Sequence, residues 1–253
     1  CVWNFGDGAT ISLGPKDLST SGRRYHIFRS PGTYRVSYSR SGPSSPPKCL
    51  PLTEYKTITE PKRIGELLRA IETYKGAYTT KHLLRLLPFV FVRSESIRLA
   101  EWNEFDLEKG IWTIPSEHLK LLKKYKGNRD YDHIMPLSKQ AIKILKEVYP
   151  YTKDAKYVFP SPLSKTRPLT DVAVSSALKR LEFGDEIVPH GFRAMFSTIA
   201  HEKSDFDHQV IETQLAHSTG SAVSQAYNRA LYLDERKDLM QWWSNYLDSV
   251  KAQ

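Results

Sequence analysis

Apolar and polar positions along the chain change their period once, near residue 61. Residues 1–42 alternate short β-type runs with turn residues: Trp3-Asn4-Phe5-Gly6-Asp7-Gly8, then Tyr25-His26-Ile27-Phe28, then Pro31-Gly32-Thr33-Tyr34-Arg35-Val36-Ser37-Tyr38. Aromatic and β-branched residues punctuated by Gly, Pro and Asp predict strands joined by turns. Ser41-Gly42-Pro43-Ser44-Ser45-Pro46-Pro47 follows. This composition propagates neither a helix nor a central strand, so a linker is expected over residues 43–60. From Pro61 the spacing turns helical, with Ile64, Leu67, Leu68 and Ile71 on one face and Pro61 suited to a first turn. A second helix runs from Thr79 or Thr80 through Leu83, Leu84, Leu87 and Val90. Asp106-Leu107-Glu108-Lys109-Gly110-Ile111-Trp112-Thr113-Ile114-Pro115 predicts two short strands about a Glu-Lys-Gly turn, and a further pair is expected across Lys126-Gly127-Asn128, ending at His133-Ile134-Met135-Pro136-Leu137. Helices are expected over 138–148, 170–181, 191–202, 207–215, 221–230 and 233–247, with Thr170 and Asp207 as N-caps. The predicted fold class is mainly α with a small antiparallel β-sheet, an α+β domain over residues 61–253, preceded by a short all-β piece over residues 1–42.

Composition narrows the function classes. At 253 residues, 40% hydrophobic and 26% charged, the chain has the balance of a globular protein and enough length for a sizeable core. The formal charge of +9 suits a polyanionic partner, since each Lys or Arg that neutralises a phosphate releases counterions. That charge is spread out, with eight Lys or Arg against four Asp or Glu in residues 1–60, so it is a weak signal alone. Cys1 and Cys49 make neither a disulfide framework nor a zinc site, and no metal is expected. The longest apolar stretch, residues 83–92, is cut by Arg85 and Pro88 and falls short of the roughly 18 residues of a membrane span. The chain is expected to be soluble, cytoplasmic and without a membrane partner. Because it begins with Cys1 and shows no basic-then-apolar leader, an upstream segment is also expected.

One constellation carries chemistry. To cut a phosphodiester without metal or cofactor, a site needs a nucleophile, cations around the non-bridging oxygens, and an acid for the leaving oxygen. Arginine suits the phosphate because its planar fork donates two parallel hydrogen bonds and stays charged. His190-Gly191-Phe192-Arg193 opens a helix with His and Arg three residues apart, beside the free backbone donors of a helix start. Alone, such a pair is more often a capping cluster. Its context is Leu215-Ala216-His217 and then Tyr227, within Ala226-Tyr227-Asn228-Arg229-Ala230.

These segments, with Asp234-Glu235-Arg236 and Met240-Gln241-Trp242-Trp243-Ser244-Asn245-Tyr246-Leu247-Asp248, resemble the C-terminal half of tyrosine recombinases of the satellite-phage integrase type. So do Phe91-Val92-Arg93, Arg98-Leu99-Ala100-Glu101-Trp102, Trp112-Thr113-Ile114-Pro115 and Met135-Pro136-Leu137-Ser138, in order and with compatible spacing. The resemblance implies that Arg93 and Arg193 hold the scissile phosphate, that His190 donates to it and assists proton transfer, and that His217 hydrogen-bonds a non-bridging oxygen. Tyr227 is then the nucleophile; its phenol, with an ordinary pKa of about 10, needs a cationic pocket or a base to ionise. Lys120 falls where the type's IPxExMK pattern places the lysine that protonates the departing 5′-hydroxyl, and Lys126 is the second candidate. Lys123, Lys124 and Lys126 otherwise read as backbone contacts to DNA. No cofactor is implied. Where the type has Arg-Pro-Gly-Glu, this chain has Arg93-Ser94-Glu95-Ser96, which turns the carboxylate by about 100° on a helix and lowers the expected efficiency.

Residues 1–42 resemble the second half of a PKD-type β-sandwich, through the WxFGDG turn and the PGTYxV strand. The implied partners are double-stranded DNA attachment sites, a homotetramer on DNA and an accessory directionality factor. The alternative function is an inactive or rearranged integrase fragment that only binds DNA, since residues 1–60 resemble neither the core-binding nor the arm-binding domain usual in the family. Trp102, Trp112, Trp242 and Trp243 are expected to be packing residues, and His82, His118 and His133 are not expected to be ligands. For the last helix, with Leu239, Trp243, Tyr246 and Val250 at helical spacing, packing on its own domain and docking on a neighbouring protomer both remain open.

Overall fold

The computed structural model describes residues 55–216 and 232–253, together with the backbone of three short strands among the first 54 residues. The chain divides into two units, Cys1–Thr53 and Glu54–Gln253. In the first, β1 (Val2–Asn4) pairs antiparallel with both β2 (Thr10–Ser12) and β3 (Ser37–Ser39). β2 falls where the sequence pattern predicts no strand, and the strand expected at 25–28 lies outside the described residues. So does most of the stretch on which the PKD resemblance rests.

The second unit is built around α2 (Tyr78–Val90), whose side chains are buried on nearly every face from Thr79 to Val90. A helix apolar all round must be surrounded. α1 (Pro61–Thr73) packs against it through Ile64, Leu67, Leu68 and Ile71, the face expected from spacing. α4 (Lys139–Thr152), α5 (Ala173–Arg180), α6 (Gly191–Lys203) and α8 (Leu233–Lys251) complete the shell, with α7 (His208–Gln214) between α6 and α8. Arg85 of α2 is tied to Glu72 of α1 at 3.0 Å and to Glu147 of α4 at 2.5 Å, and Lys251 Nζ reaches Glu72 at 2.8 Å. α8 packs on its own unit, with Leu239, Trp243 and Val250 buried. Among the described residues no helix is long and apolar enough to cross a membrane.

α2 ends at Phe91, which adopts a left-handed φ of 36°. Its ring stacks on Phe196 of α6, centroids 3.6 Å apart, and Trp243 of α8 meets Phe196 edge-on at 5.3 Å. The Trp243 indole N–H donates to the Pro88 carbonyl at 2.8 Å. The abrupt exit of α2 leads directly into Arg93 and the short α3 (Ser94–Arg98).

A three-stranded antiparallel sheet, β4 (Phe105–Asp106), β5 (Ile111–Ile114) and β6 (His133–Pro136), has β5 at its centre. Trp112 and Ile114 point into the core, and Gly110 takes the positive φ that the preceding turn requires. The strand pair expected across Lys126-Gly127-Asn128 is not formed. β5 pairs with β6 directly, and their connection carries three 3-10 turns, Ser116–His118, Lys123–Tyr125 and Arg129–Tyr131. Its residues 122–130 are nearly all exposed, so no buried face holds a strand in register there. The loop is instead stitched by side chains: Ser116 Oγ accepts from Gly127 N at 3.0 Å, and Asp132 accepts from Ser116 N at 2.9 Å.

Other boundaries also shift. α5 begins at Ala173 with Val172 at its N-cap, so Thr170 does not cap it, whereas Asp207 accepts from Gln209 N at 2.6 Å and caps α7. A hairpin of β7 (Pro160–Ser161) and β8 (Ser164–Pro168) escapes hydrophobic patterning because β8 is polar and largely exposed. Residues 55–60 fall in the stretch expected as linker, and here Ile58 is buried while Thr57 Oγ1 donates to the Gly191 carbonyl at 2.7 Å. The helix expected at 221–230 lies outside the described residues.

α1 and α8 approach so closely at Gly65 that an added Cβ would stand 2.1 Å from the Val250 carbonyl oxygen. Gly65→Ala is expected to force the helices apart and lower stability by about 1–3 kcal/mol, the usual cost of overpacking. Urea unfolding checks this, with the loss appearing in the midpoint and not in the slope.

Candidate active site

Two of the arginines singled out in the sequence line one pocket, with Val90, Val92, Ser96, Ile114, Leu119, His133, Gln214 and Ala216. Arg93 arrives from the end of α2 and forms the N-cap of α3. Arg193 arrives from the first turn of α6, one turn before Phe196. The two are near enough for the charge of Arg93 to act on Arg193. Burial, and then that charge, push the Arg193 guanidinium down to about 9, against an upward pull from Glu212, so it remains cationic at neutral pH. Burial also lowers Arg93. Arg193 donates to the Leu215 carbonyl, while the Arg93 guanidinium makes no hydrogen bond or ion pair among the described residues, its backbone carbonyl alone accepting from Ile97 N at 3.3 Å. The half-buried Arg93 guanidinium, with its donors unfilled, is a standing site for an oxyanion.

Two further residues shape the pocket that sequence reasoning did not assign. His133, at the first position of β6 and opposite Ile114, has its pKa held well below the usual imidazole value by loss of water and then by the charges of Arg236 and Arg193. It is therefore neutral near pH 7. Arg236 of α8 is fully buried and pushed by burial down to about 10. Its Nε donates to Gln214 Oε1 at 2.8 Å and one terminal nitrogen to the Ile134 carbonyl, joining α8, α7 and β6 behind the pocket. Arg236 falls inside a segment quoted for its family resemblance, but nothing in one dimension shows that it faces inward. No signal marks His133.

Ser96 occupies the position where the resemblance expects a carboxylate. It is buried and its Oγ donates to the His118 carbonyl at 2.7 Å, while Glu95 is exposed. Arg93 therefore has no acidic neighbour from α3. The Ser96 bond instead ties α3 to the β5–β6 connection two residues before Lys120. Lys120 is exposed between buried Leu119, which lines the pocket, and half-buried Leu121. Lys126 Nζ donates to the Glu117 carbonyl at 3.3 Å, Lys124 Nζ lies over the Tyr125 ring at 4.7 Å, and Lys123 is exposed.

His190 is the N-cap residue of α6, and the Tyr55 ring packs on its imidazole with centroids 4.0 Å apart. The segment bearing Tyr55 is fixed by Val188 N donating to the Lys56 carbonyl at 3.2 Å. An added Cβ on Gly191 would lie 2.2 Å from that same carbonyl oxygen, so glycine permits the approach. His190 does not line the pocket that joins Arg93 and Arg193. His217 and Tyr227 lie outside the described residues. The described chain reaches the pocket at Ala216, the residue before His217, and resumes at Tyr232, whose hydroxyl donates to Gln209 of α7 at 2.8 Å.

The fold is that of solved integrases. The integrase from mycobacterium phage Brujita superposes with a TM-score of 0.52 at 16% identity, covering 83% of this chain and 65% of that one. The Tn1549 transposon integrase, solved in complex with transposon right end DNA, superposes with a TM-score of 0.53 at 14% identity, covering 72% and 68%. What they share with this chain is the fold, mostly helical with a small antiparallel sheet. Residues 57–233 match the phage integrase family, and the chain belongs to that family. It is 35% identical to the integrase of Enterobacteria phage P4 over 193 residues, which is 74% of this chain and 44% of that protein. It is 34% identical to the prophage integrase IntA of Escherichia coli (strain K12), over 76% of this chain and 44% of that protein. The chain thus spans about half the length of the curated relatives it matches.

Replacing Arg93 by Met should leave stability unchanged or raise it by about 1–2 kcal/mol, because a desolvated cation gives way to an apolar side chain of similar size. In the parent protein, sulfate bound at this site should add a saturable rise in Tm at low sulfate concentration, and the same change should abolish that component while leaving the general salting-out rise in place. Thermal and urea unfolding with and without sulfate test both halves.

Proposed function

We propose that this chain is the catalytic part of a site-specific recombinase that breaks and rejoins DNA through a 3′-phosphotyrosyl intermediate at Tyr227. The observation that carries the reading is the convergence of Arg93 and Arg193 on one pocket whose next chain segment is Ala216-His217. Arg93 and Arg193 bind the non-bridging oxygens of the scissile phosphate and stabilise the charge that grows there in the transition state. His190 and His217 donate to the same phosphate. With His190 assisting, the Tyr227 phenol releases its proton to water as its oxygen attacks phosphorus, the bond to the 5′-oxygen breaks, and Lys120 gives that oxygen its proton. Bond energy is kept in the new phosphodiester, so a 5′-hydroxyl of a second strand reverses the step without a cofactor. Tyr55 holds the His190 ring from outside the pocket.

Double-stranded attachment sites are the proposed substrate, with four copies on two duplexes and an accessory factor setting direction. Residues 43–60 link the domain of 61–253 to the β piece of 1–42, whose PKD-like character belongs to the same proposal. A second reading, a fragment that binds DNA without recombining it, is favoured by Ser96, which leaves Arg93 without the acidic partner the family pattern supplies.

Nicked suicide DNA carrying an attachment sequence is expected to yield a covalent protein–DNA band that is absent with Tyr227→Phe. Binding without any band would favour the second reading. The acid is assigned separately: Lys120→Ala should slow cleavage by about 10²–10⁴-fold. A substrate with sulfur in place of the 5′-bridging oxygen should restore the rate, because a thiolate leaves without a proton. Rescue seen only with Lys126→Ala would transfer the role to Lys126.

A further inference from the structure

Outside the pocket, the hairpin of α6 and α7 gathers three metal-ligating side chains. His201 lies in the last turn of α6, His208 opens α7, and Glu212 follows His208 by four residues on the same face. One ligand atom from each lies within 4.8 Å of the other two. His201 Nε2 stands 2.9 Å from His208 Nδ1 and 3.7 Å from Glu212 Oε1. Around a tetrahedral ion with bonds of about 2.0–2.1 Å, ligand atoms sit roughly 3.3 Å apart, a value between these two separations.

The tautomer is also set. His201 Nδ1 lies 2.7 Å from the Ser197 carbonyl, which can only accept, so neutral His201 carries its proton on Nδ1 and turns the Nε2 lone pair towards His208 and Glu212. Ligating histidines are oriented in this way, by giving their other N–H to a carbonyl. His208 is exposed, so its ring proton can move to Nε2 and face water, which frees Nδ1 as a second donor atom.

We propose that His201, His208 and Glu212 bind a divalent transition ion of the zinc class, with water in the fourth position. Two imidazoles and a carboxylate at tetrahedral separations suit such an ion better than the oxygen-rich shells of magnesium or calcium. The ion clips α6 to α7. The far end of α7 carries Gln214, which accepts from Arg236, and leads to the Leu215 carbonyl that Arg193 holds. Zinc thereby stiffens the segment that leads into residue 217. None of this depends on the recombinase reading.

The test uses the full chain with Cys1→Ser and Cys49→Ser, so that thiolates do not compete. Zinc titrated by calorimetry is expected to bind with a saturable component of one equivalent and to raise Tm, and cobalt in its place is expected to give the visible bands of a low-symmetry N/O site. His208→Ala and His208→Gln, both at an exposed position, should each lose that component, and Glu212→Gln should weaken it about tenfold or more. Absence of saturable binding in the parent, or zinc affinity unchanged in either folded His208 variant, would overturn the proposal.

Discussion

Phe91, Phe196 and Trp243 form a buried aromatic cluster that fixes three helices at once. The parallel stack of Phe91 on Phe196 and the edge contact of Trp243 join the end of α2, the second turn of α6 and the middle of α8. Aromatic pairs of this kind add about 0.5–1.5 kcal/mol each beyond their buried area. That is enough to hold Phe91 in a left-handed conformation that costs an L-residue about 1–2 kcal/mol. Arg93 leaves the cluster two residues later, and Arg193 sits one helical turn before Phe196. The position of both cations is therefore inherited from apolar packing.

That inheritance resolves a difficulty. Bringing Arg93, Arg193 and Arg236 together out of water is unfavourable by itself, and no carboxylate stands beside them on α3. Backbone carbonyls of Leu215 and Ile134, the Gln214 side chain and the more distant Glu212 offset part of the cost. His133 contributes by being neutral, since a charged imidazole there would add a fourth cation. What remains unbalanced is the binding energy available to an anionic ligand. An apolar core that over-determines the geometry can carry such a deficit; a loop could not.

Two segments with little regular structure of their own flank the site, and only the β5–β6 connection, through Leu119, lines the pocket itself. The β5–β6 connection is held by Ser116, Asp132 and the Ser96 hydroxyl, and residues 55–60 lie against α6 through Tyr55, Lys56 and Thr57. Both are positioned by hydrogen bonds between side chains and backbone, and specific residues in them have been recruited to places that in a regular element would be set by period.

Much of the second unit was legible in one dimension. Periods near 3.6 placed α1, α2, α6 and α8, because each buries one stripe or its whole circumference against a neighbour, and alternation placed β5 about Trp112 and Ile114. Arg93, Arg193, His190, His217, Tyr227 and Lys120 were nameable from motif order, and the substitution at Ser96 from a departure in that order. Only the tertiary structure decided that Arg93, Arg193 and His133 share a pocket while Tyr55 packs on His190, that Arg236 lies behind that pocket, and that His201, His208 and Glu212 converge. The division has a physical basis. Burial of an apolar face repeats along the chain and leaves a periodic record, whereas the meeting of polar groups from separate elements depends on helix exit angles and loop paths, which packing sets and no local spacing encodes.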